Sequence, residues 1–164
     1  MKSYHILDCD KQQKIADSLY GYYVGITANR ELKDFWNHLS RKEIQDYFSI
    51  PNNPCKEWFD SLGLKVRDMS FTIYNEDIGT DIHRDEPPVI AKINFPVLNT
   101  KDTYNVWFDD YANEIDRVEC DKPIVLRSDI LHTVEIGKDA VFPRIQFSFC
   151  FYNEPLQLLK SDTQ

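Results

Sequence analysis

The sequence predicts a mainly β chain with N-terminal helices, built as a double-stranded β-helix (a jelly-roll, cupin-like barrel). Three observations predict it. Apolar residues recur at helical spacing up to Gly63, they alternate at strand spacing after it, and the strands so marked are short and closely spaced. The economical arrangement is a single domain over 1–164. Residues 1–64 form a helical support layer on the outside of a jelly-roll core at 65–152, and 153–164 form a polar, partly loose tail.

The elements follow in order. Asp10 with Gln13 predicts a capping box, opening a short helix that puts Ile15 and Leu19 on one face. Leu32, Phe35, Trp36 and Leu39 fit the i, i+3, i+4, i+7 spacing of a buried helical stripe. Ser40 and Glu43 form a second capping box, ahead of Ile44, Tyr47 and Phe48. Asn53 as cap, Pro54 in the first turn and Gly63 past the end frame a helix carrying Trp58, Phe59 and Leu62. Beyond Gly63, Met69, Phe71 and Ile73 alternate with Ser70, Thr72 and Tyr74. Further strands are predicted at 89–98, 103–108, 123–126, 130–136 and 144–152, with a turn at Asn99-Thr100-Lys101-Asp102.

Totals bound the function. A hydrophobic fraction of 42% with 13% aromatic residues supports a packed core. A formal charge of −8 opposes a phosphate-binding surface, so nucleic acid is a poor partner. No apolar run reaches the ~18 residues of a membrane span, and Met1 to His5 lack the apolar stretch of a leader, so the chain reads as cytoplasmic. Cys9, Cys55, Cys120 and Cys150 form no Cys-x-x-Cys pair and read as free thiols. Nothing in the pattern speaks to oligomeric state.

The chemistry concentrates in four residues. His83 and Asp85 flank Arg84, and on an extended strand they share a face that Arg84 does not. His132 lies on a later β segment that a jelly roll can bring alongside. Two imidazoles and one carboxylate are the facial triad of non-haem Fe(II) oxygenases, which leaves three coordination positions open. Arg144, Gln146 and Ser148 share one face of their strand, while Ile145, Phe147, Phe149 and Phe151 share the other. An inward guanidinium needs an anion: either a co-substrate carboxylate or an Asp or Glu of the chain. Each piece also has a plainer reading, as a charged turn before Pro87-Pro88, a core histidine or a salt-bridged arginine. Tyr104, Trp107, Phe108 and Tyr111 are candidates for an aromatic pocket or for core packing.

Residues 128–135 (Ser-Asp-Ile-Leu-His-Thr-Val-Glu), then Pro143-Arg144-Ile145-Gln146-Phe147-Ser148-Phe149, resemble the C-terminal core of small 2-oxoglutarate- and Fe(II)-dependent oxygenases. With Tyr74-Asn75-Glu76-Asp77-Ile78-Gly79 leading into His83-Arg84-Asp85, the resemblance covers Val66 to Tyr152. It implies that His83, Asp85 and His132 bind Fe(II), and that Arg144 pairs with the distal carboxylate of 2-oxoglutarate. Many members carry serine or threonine two residues after that arginine. Here the position is Gln146, with Ser148 as an alternative helper. Tyr74, Asn94 and Asn105 are further candidates for lining the co-substrate pocket. The implied reaction hydroxylates a small molecule or an amino-acid or peptide side chain, releasing succinate and CO2. The rivals are a non-oxidative metal-dependent cupin-type enzyme and an inactive binding module on the same fold.

Overall fold

The computed structural model describes residues 2–32, 35–77 and 79–159. Its elements in chain order are β1 (Tyr4–Ile6), α1 (Gln12–Thr27), β2 (Trp36–His38), α2 (Arg41–Phe48), α3 (Pro54–Ser61), β3 (Val66–Tyr74), β4 (Ala91–Leu98), β5 (Thr103–Phe108), β6 (Glu114–Glu119), β7 (Ile124–Arg127), β8 (His132–Ile136) and β9 (Arg144–Phe151), then a 3-10 turn at Leu156–Leu159. The architecture is mainly antiparallel β with three α-helices. One sheet has six strands in the order β1-β7-β4-β9-β3-β2, and the other has three in the order β6-β5-β8.

The large sheet is amphipathic because its strands alternate. Met69, Phe71 and Ile73 of β3, Ile93 and Phe95 of β4, and Phe147, Phe149 and Phe151 of β9 point to the helices. There they form one core with Ile15, Leu19, Ile44, Tyr47 and Phe59. Phe59 packs edge-on against Phe149 and Phe151, with ring centroids 4.9 and 5.0 Å away, a favoured aromatic geometry. The opposite face is polar: Ser70 and Thr72 lie beside Ser148 and Gln146, and Asn94 lies beside Ser148. A cavity of about 640 Å³ separates this face from Asn105, His132 and Val134 of the small sheet.

Local chemistry explains the helix starts. Ser40 Oγ accepts from the Glu43 N–H while Glu43 Oε1 accepts from the Ser40 N–H, completing the capping box before α2. Asn53 Oδ1 accepts from the Cys55 and Lys56 N–H groups, Pro54 opens α3, and Gly63 takes φ +69° beyond its end.

Three expectations are corrected. α1 begins without a side-chain cap, and no Asp10–Gln13 capping box forms; the Gln13 amide donates instead to Asp17. The stripe from Leu32 to Leu39 is not helical; Trp36 to His38 form an edge strand on β3. Lys33 and Asp34, inside that stripe, lie outside the described residues. Leu39 is buried, but Phe35 and Trp36 are exposed, since a strand of this register turns Asn37 inward. β1 joins β7, so residues 1–64 supply strands as well as helices. The tail is packed where it is described, with Leu159 fully buried in the core; residues 160–164 lie outside the described residues.

Candidate metal centre and anion site

Residues 79–85 form a strap along β8. Gly79 has φ +54°, and a Cβ there would lie 2.9 Å from the Val134 carbonyl, so a side chain is excluded by both backbone and space. The Val134 N–H donates to Thr80 Oγ1 (2.9 Å). His83 and His132 then exchange backbone hydrogen bonds of 3.0 and 2.9 Å, and the Asp85 N–H donates to the Ser128 carbonyl (2.8 Å). This arrangement corrects the expectation of a strand through His83 and Asp85: a single antiparallel bridge, His83 to His132, holds the segment. Ile78, within the stretch Tyr74 to Gly79, lies outside the described residues.

The strap brings three ligand atoms together. One from each of His83, Asp85 and His132 lie within 4.8 Å of one another. Asp85 Oδ1 is 3.5 Å from His83 Nε2 and 3.6 Å from His132 Nε2. Each imidazole sets its Nδ1 on a carbonyl: His83 on Asp81 (2.7 Å) and His132 on Ile130 (2.8 Å). A carbonyl only accepts, so Nδ1 carries a proton and Nε2 is the ring nitrogen left facing the shared point, the one that would ligate an ion. Asp81 and Ile130 thus orient the rings through their backbones, whereas the Asp129 carboxylate is engaged with Arg127.

The carboxylate is ready to ligate. Burial opposes ionisation of Asp85, but hydrogen bonds from His132 and His83 and the Lys92 ammonium outweigh it and hold the carboxyl well below its usual range. The hydrogen bond with Asp85 raises the His83 value. Two imidazoles and one carboxylate on one side of a point, with the cavity on the other, suit Fe(II) or a similar divalent ion.

At the other end of the polar face lies Arg144, 0% exposed. Its Nε donates to Thr103 Oγ1 (3.1 Å), joining the two sheets, and its Nη2 donates to Gln146 Oε1 (2.9 Å). Nη1 is buried with no hydrogen-bond partner. The guanidinium sits 5.2 Å from the centre of the Tyr74 ring. Among the described residues no carboxylate forms an ion pair with it, so the salt-bridge reading of Arg144 has no support. A buried cation short of a partner calls for an anion from outside the chain. Because a guanidinium only donates, the Gln146 oxygen must face it, and the Gln146 NH2 remains for a ligand.

Tyr74, Asn94, Asn105, Gln146 and Ser148 line the same cavity as the triad. Ser148 Oγ donates to Asn94 Oδ1 (2.7 Å), and the Asn105 amide donates to Cys120 Sγ (3.3 Å). Of the two readings for Tyr104, Trp107, Phe108 and Tyr111, Trp107 follows core packing, and none of the four lines the cavity. Trp107 is core, stacked on Tyr4 at 5.2 Å, while Tyr111 is 87% exposed. The aromatic residues at the cavity are Phe35, Trp36 and Tyr74. Sequence reasoning misses the cavity roles of Trp36 and His38 because their spacing fits a helix, and it misses Lys92, the one charged side chain of β4. Alternation did contain a signal for Asp68, Ser70 and Thr72, the polar partners of Met69, Phe71 and Ile73.

No family model and no curated protein sequence matches the chain. Solved structures do. A Pseudomonas putida prolyl-4-hydroxylase is 12% identical, covering 91% of each chain with a TM-score of 0.58. A viral collagen prolyl hydroxylase from Paramecium bursaria Chlorella virus-1, solved with 2OG, is 12% identical over 90% of this chain and 94% of its own, with a TM-score of 0.52. A Trichoplax adhaerens prolyl hydroxylase, in complex with a hypoxia inducible factor peptide fragment, is 9% identical over 99% and 88%, with a TM-score of 0.53. It is the fold of these prolyl hydroxylases that this chain shares, and its His83, Asp85 and His132 form a set that could hold a metal ion.

Proposed function

We propose that the protein is a non-haem Fe(II)- and 2-oxoglutarate-dependent oxygenase, a hydroxylase of a small molecule or of an amino-acid or peptide side chain, on a double-stranded β-helix whose two walls are the six- and three-stranded sheets. The observation that carries this reading is the buried Arg144 guanidinium, without a carboxylate partner among the described residues, on the same strand face as Gln146 and Ser148, which line the cavity with the triad. A triad alone suits several metal enzymes. The orphan cation at the other end of the polar face suits a dicarboxylate co-substrate.

Each residue then has a physical task. His83, Asp85 and His132 hold the ion on one side and leave the cavity side open. Arg144 Nη1 and the Gln146 NH2 donate to the far carboxylate, and burial strengthens both contacts. The Tyr74 ring walls the guanidinium from water. The bound iron, with 2-oxoglutarate and dioxygen, supplies the oxidation: the 2-oxo acid loses CO2 and becomes succinate, while one oxygen atom converts a C–H of the prime substrate to C–OH. Exposed Phe35 and Trp36 at the mouth offer apolar contact to that substrate. The peptide bound to the Trichoplax neighbour supports a peptide side chain as one form it takes.

The test is turnover without a prime substrate. Purified protein with Fe(II), 2-oxoglutarate and air is expected to release succinate slowly. His132→Ala is expected to release none. Equal succinate from both proteins, or none from the wild type, contradicts the proposal. The second result points to a non-oxidative metal enzyme or a binding module.

A further inference from the structure

The two oxygens of the Asp85 carboxylate face different partners. Oδ1 looks toward both imidazole Nε2 atoms, at 3.5 and 3.6 Å, while Oδ2 takes a 2.6 Å hydrogen bond from Lys92 Nζ. Among the described residues Lys92 is the only donor recorded on Oδ2. Its side chain is 17% exposed and that of Asp85 23%, so this is not a pair adrift on the surface. Both ends of the contact are anchored. Lys92 stands on β4 opposite Leu126, two residues before Asn94 on the same inner face, and the Asp85 backbone is tied to the Ser128 carbonyl.

We propose that Lys92 is a positioning residue that restricts Asp85 to one-oxygen ligation and shares its charge with the metal. The inference rests on the metal-binding reading above. A carboxylate that binds through both oxygens fills two coordination positions. With Oδ2 held by an ammonium, Asp85 fills one, and the triad leaves three positions for co-substrate and oxygen. The hold has a cost. Lys92 places a positive charge beside a divalent cation and competes for the same anion, so it weakens metal binding. Polar groups behind a metal ligand ordinarily strengthen the site, and losing one costs about 10- to 100-fold in affinity. Lys92 is expected to act with the opposite sign, which separates it from a merely structural lysine.

Co(II) is the probe, because it reports coordination number in its visible bands and binds without turnover. Titration of the full chain is expected to show Lys92→Met binding Co(II) about tenfold more tightly than wild type, with a changed visible spectrum as the freed Oδ2 also ligates. Lys92→Arg, which keeps charge and donor, is expected to match wild type in both. Lys92→Gln keeps a donor without the charge and is expected to bind more tightly with the wild-type spectrum; it serves also if Lys92→Met fails to fold. Weaker or unchanged Co(II) binding in folded Met and Gln variants, with the wild-type spectrum, overturns the assignment. A wild-type protein that takes up no Co(II) overturns the metal reading beneath it.

Discussion

The triad and the Arg144 site treat charge in opposite ways. At the triad, the chain supplies every partner: Asp85 meets two imidazoles and Lys92, and each imidazole has a carbonyl behind it. The side chain of His83 there is 45% exposed, so the ion site opens to solvent. At Arg144 the chain supplies too little: the cation is fully buried, held by two neutral oxygens, with one nitrogen unpaired. The first end is assembled without its ligand. On the proposed reading, the second is completed by the far carboxylate of the co-substrate. Unmet charge deep in a fold therefore marks a ligand's end group more sharply than a cluster of titratable residues does, since clusters can satisfy themselves.

Removing the unmet charge tests the contrast with the largest expected effect. Arg144→Met is expected to weaken 2-oxoglutarate binding by about 2–4 kcal/mol, on the order of a hundredfold, and to leave Fe(II) affinity unchanged. The ligand-free variant is expected to melt no lower than wild type, because an apolar side chain relieves a buried unpaired cation. A large fall in Tm by calorimetry would assign the guanidinium to the scaffold instead.

Protonation probes the other end. The hydrogen bond with Asp85 raises the His83 pKa above its ordinary value, and a ligating imidazole must be neutral. Fe(II) affinity is thus expected to fall as pH drops below that raised value, by up to about 1.4 kcal/mol per pH unit for one displaced proton. The same group contributes to apo stability below its unfolded pKa and loses that contribution as pH rises through the folded value. Metal titrations flat from pH 8 to pH 5.5 would show that His83 is no ligand.

Two smaller changes separate site from scaffold. Gly79→Ala forces a side chain onto the Val134 carbonyl at positive φ. A cost of about 1–3 kcal/mol is expected, seen mainly as weaker metal binding, because the strap carries His83 and Asp85. Ser40→Ala removes half of the α2 capping box; about 1 kcal/mol of stability should go in chemical unfolding, with metal and 2-oxoglutarate affinities intact. If Gly79→Ala instead behaves like Ser40→Ala, the strap is not what aims the ligands.

Much of this contrast is written in the residue pattern. The alternation of β9 places Arg144 on an inner face, because a strand's period of two leaves little freedom once one face is apolar, while His-x-Asp and the later histidine meet through the strap. Where the pattern failed, physics was ambiguous. Leu32 to Leu39 fits a helical stripe by spacing, yet β3 offers Trp36 to His38 an edge to pair with, and tertiary pairing overrides local period. β6, Glu114–Glu119, is largely polar and carries no alternation to read. Alternation puts Lys92 on the face of Asn94; only the approach of the strap shows that it meets Asp85. That Arg144 has no carboxylate partner among the described residues is invisible in sequence, since acidic residues abound and only the fold decides which of them come near.

The most direct measurement is an anaerobic Fe(II) titration in the presence of 2-oxoglutarate, followed by visible absorption. A charge-transfer band saturating at one iron and one 2-oxoglutarate per chain is expected for wild type. Asp85→Ala is expected to lose it through iron, and Arg144→Met to need on the order of a hundredfold more 2-oxoglutarate. Absence of the band in wild-type protein that has bound both iron and 2-oxoglutarate, or a band indifferent to Asp85 and Arg144, would contradict the account.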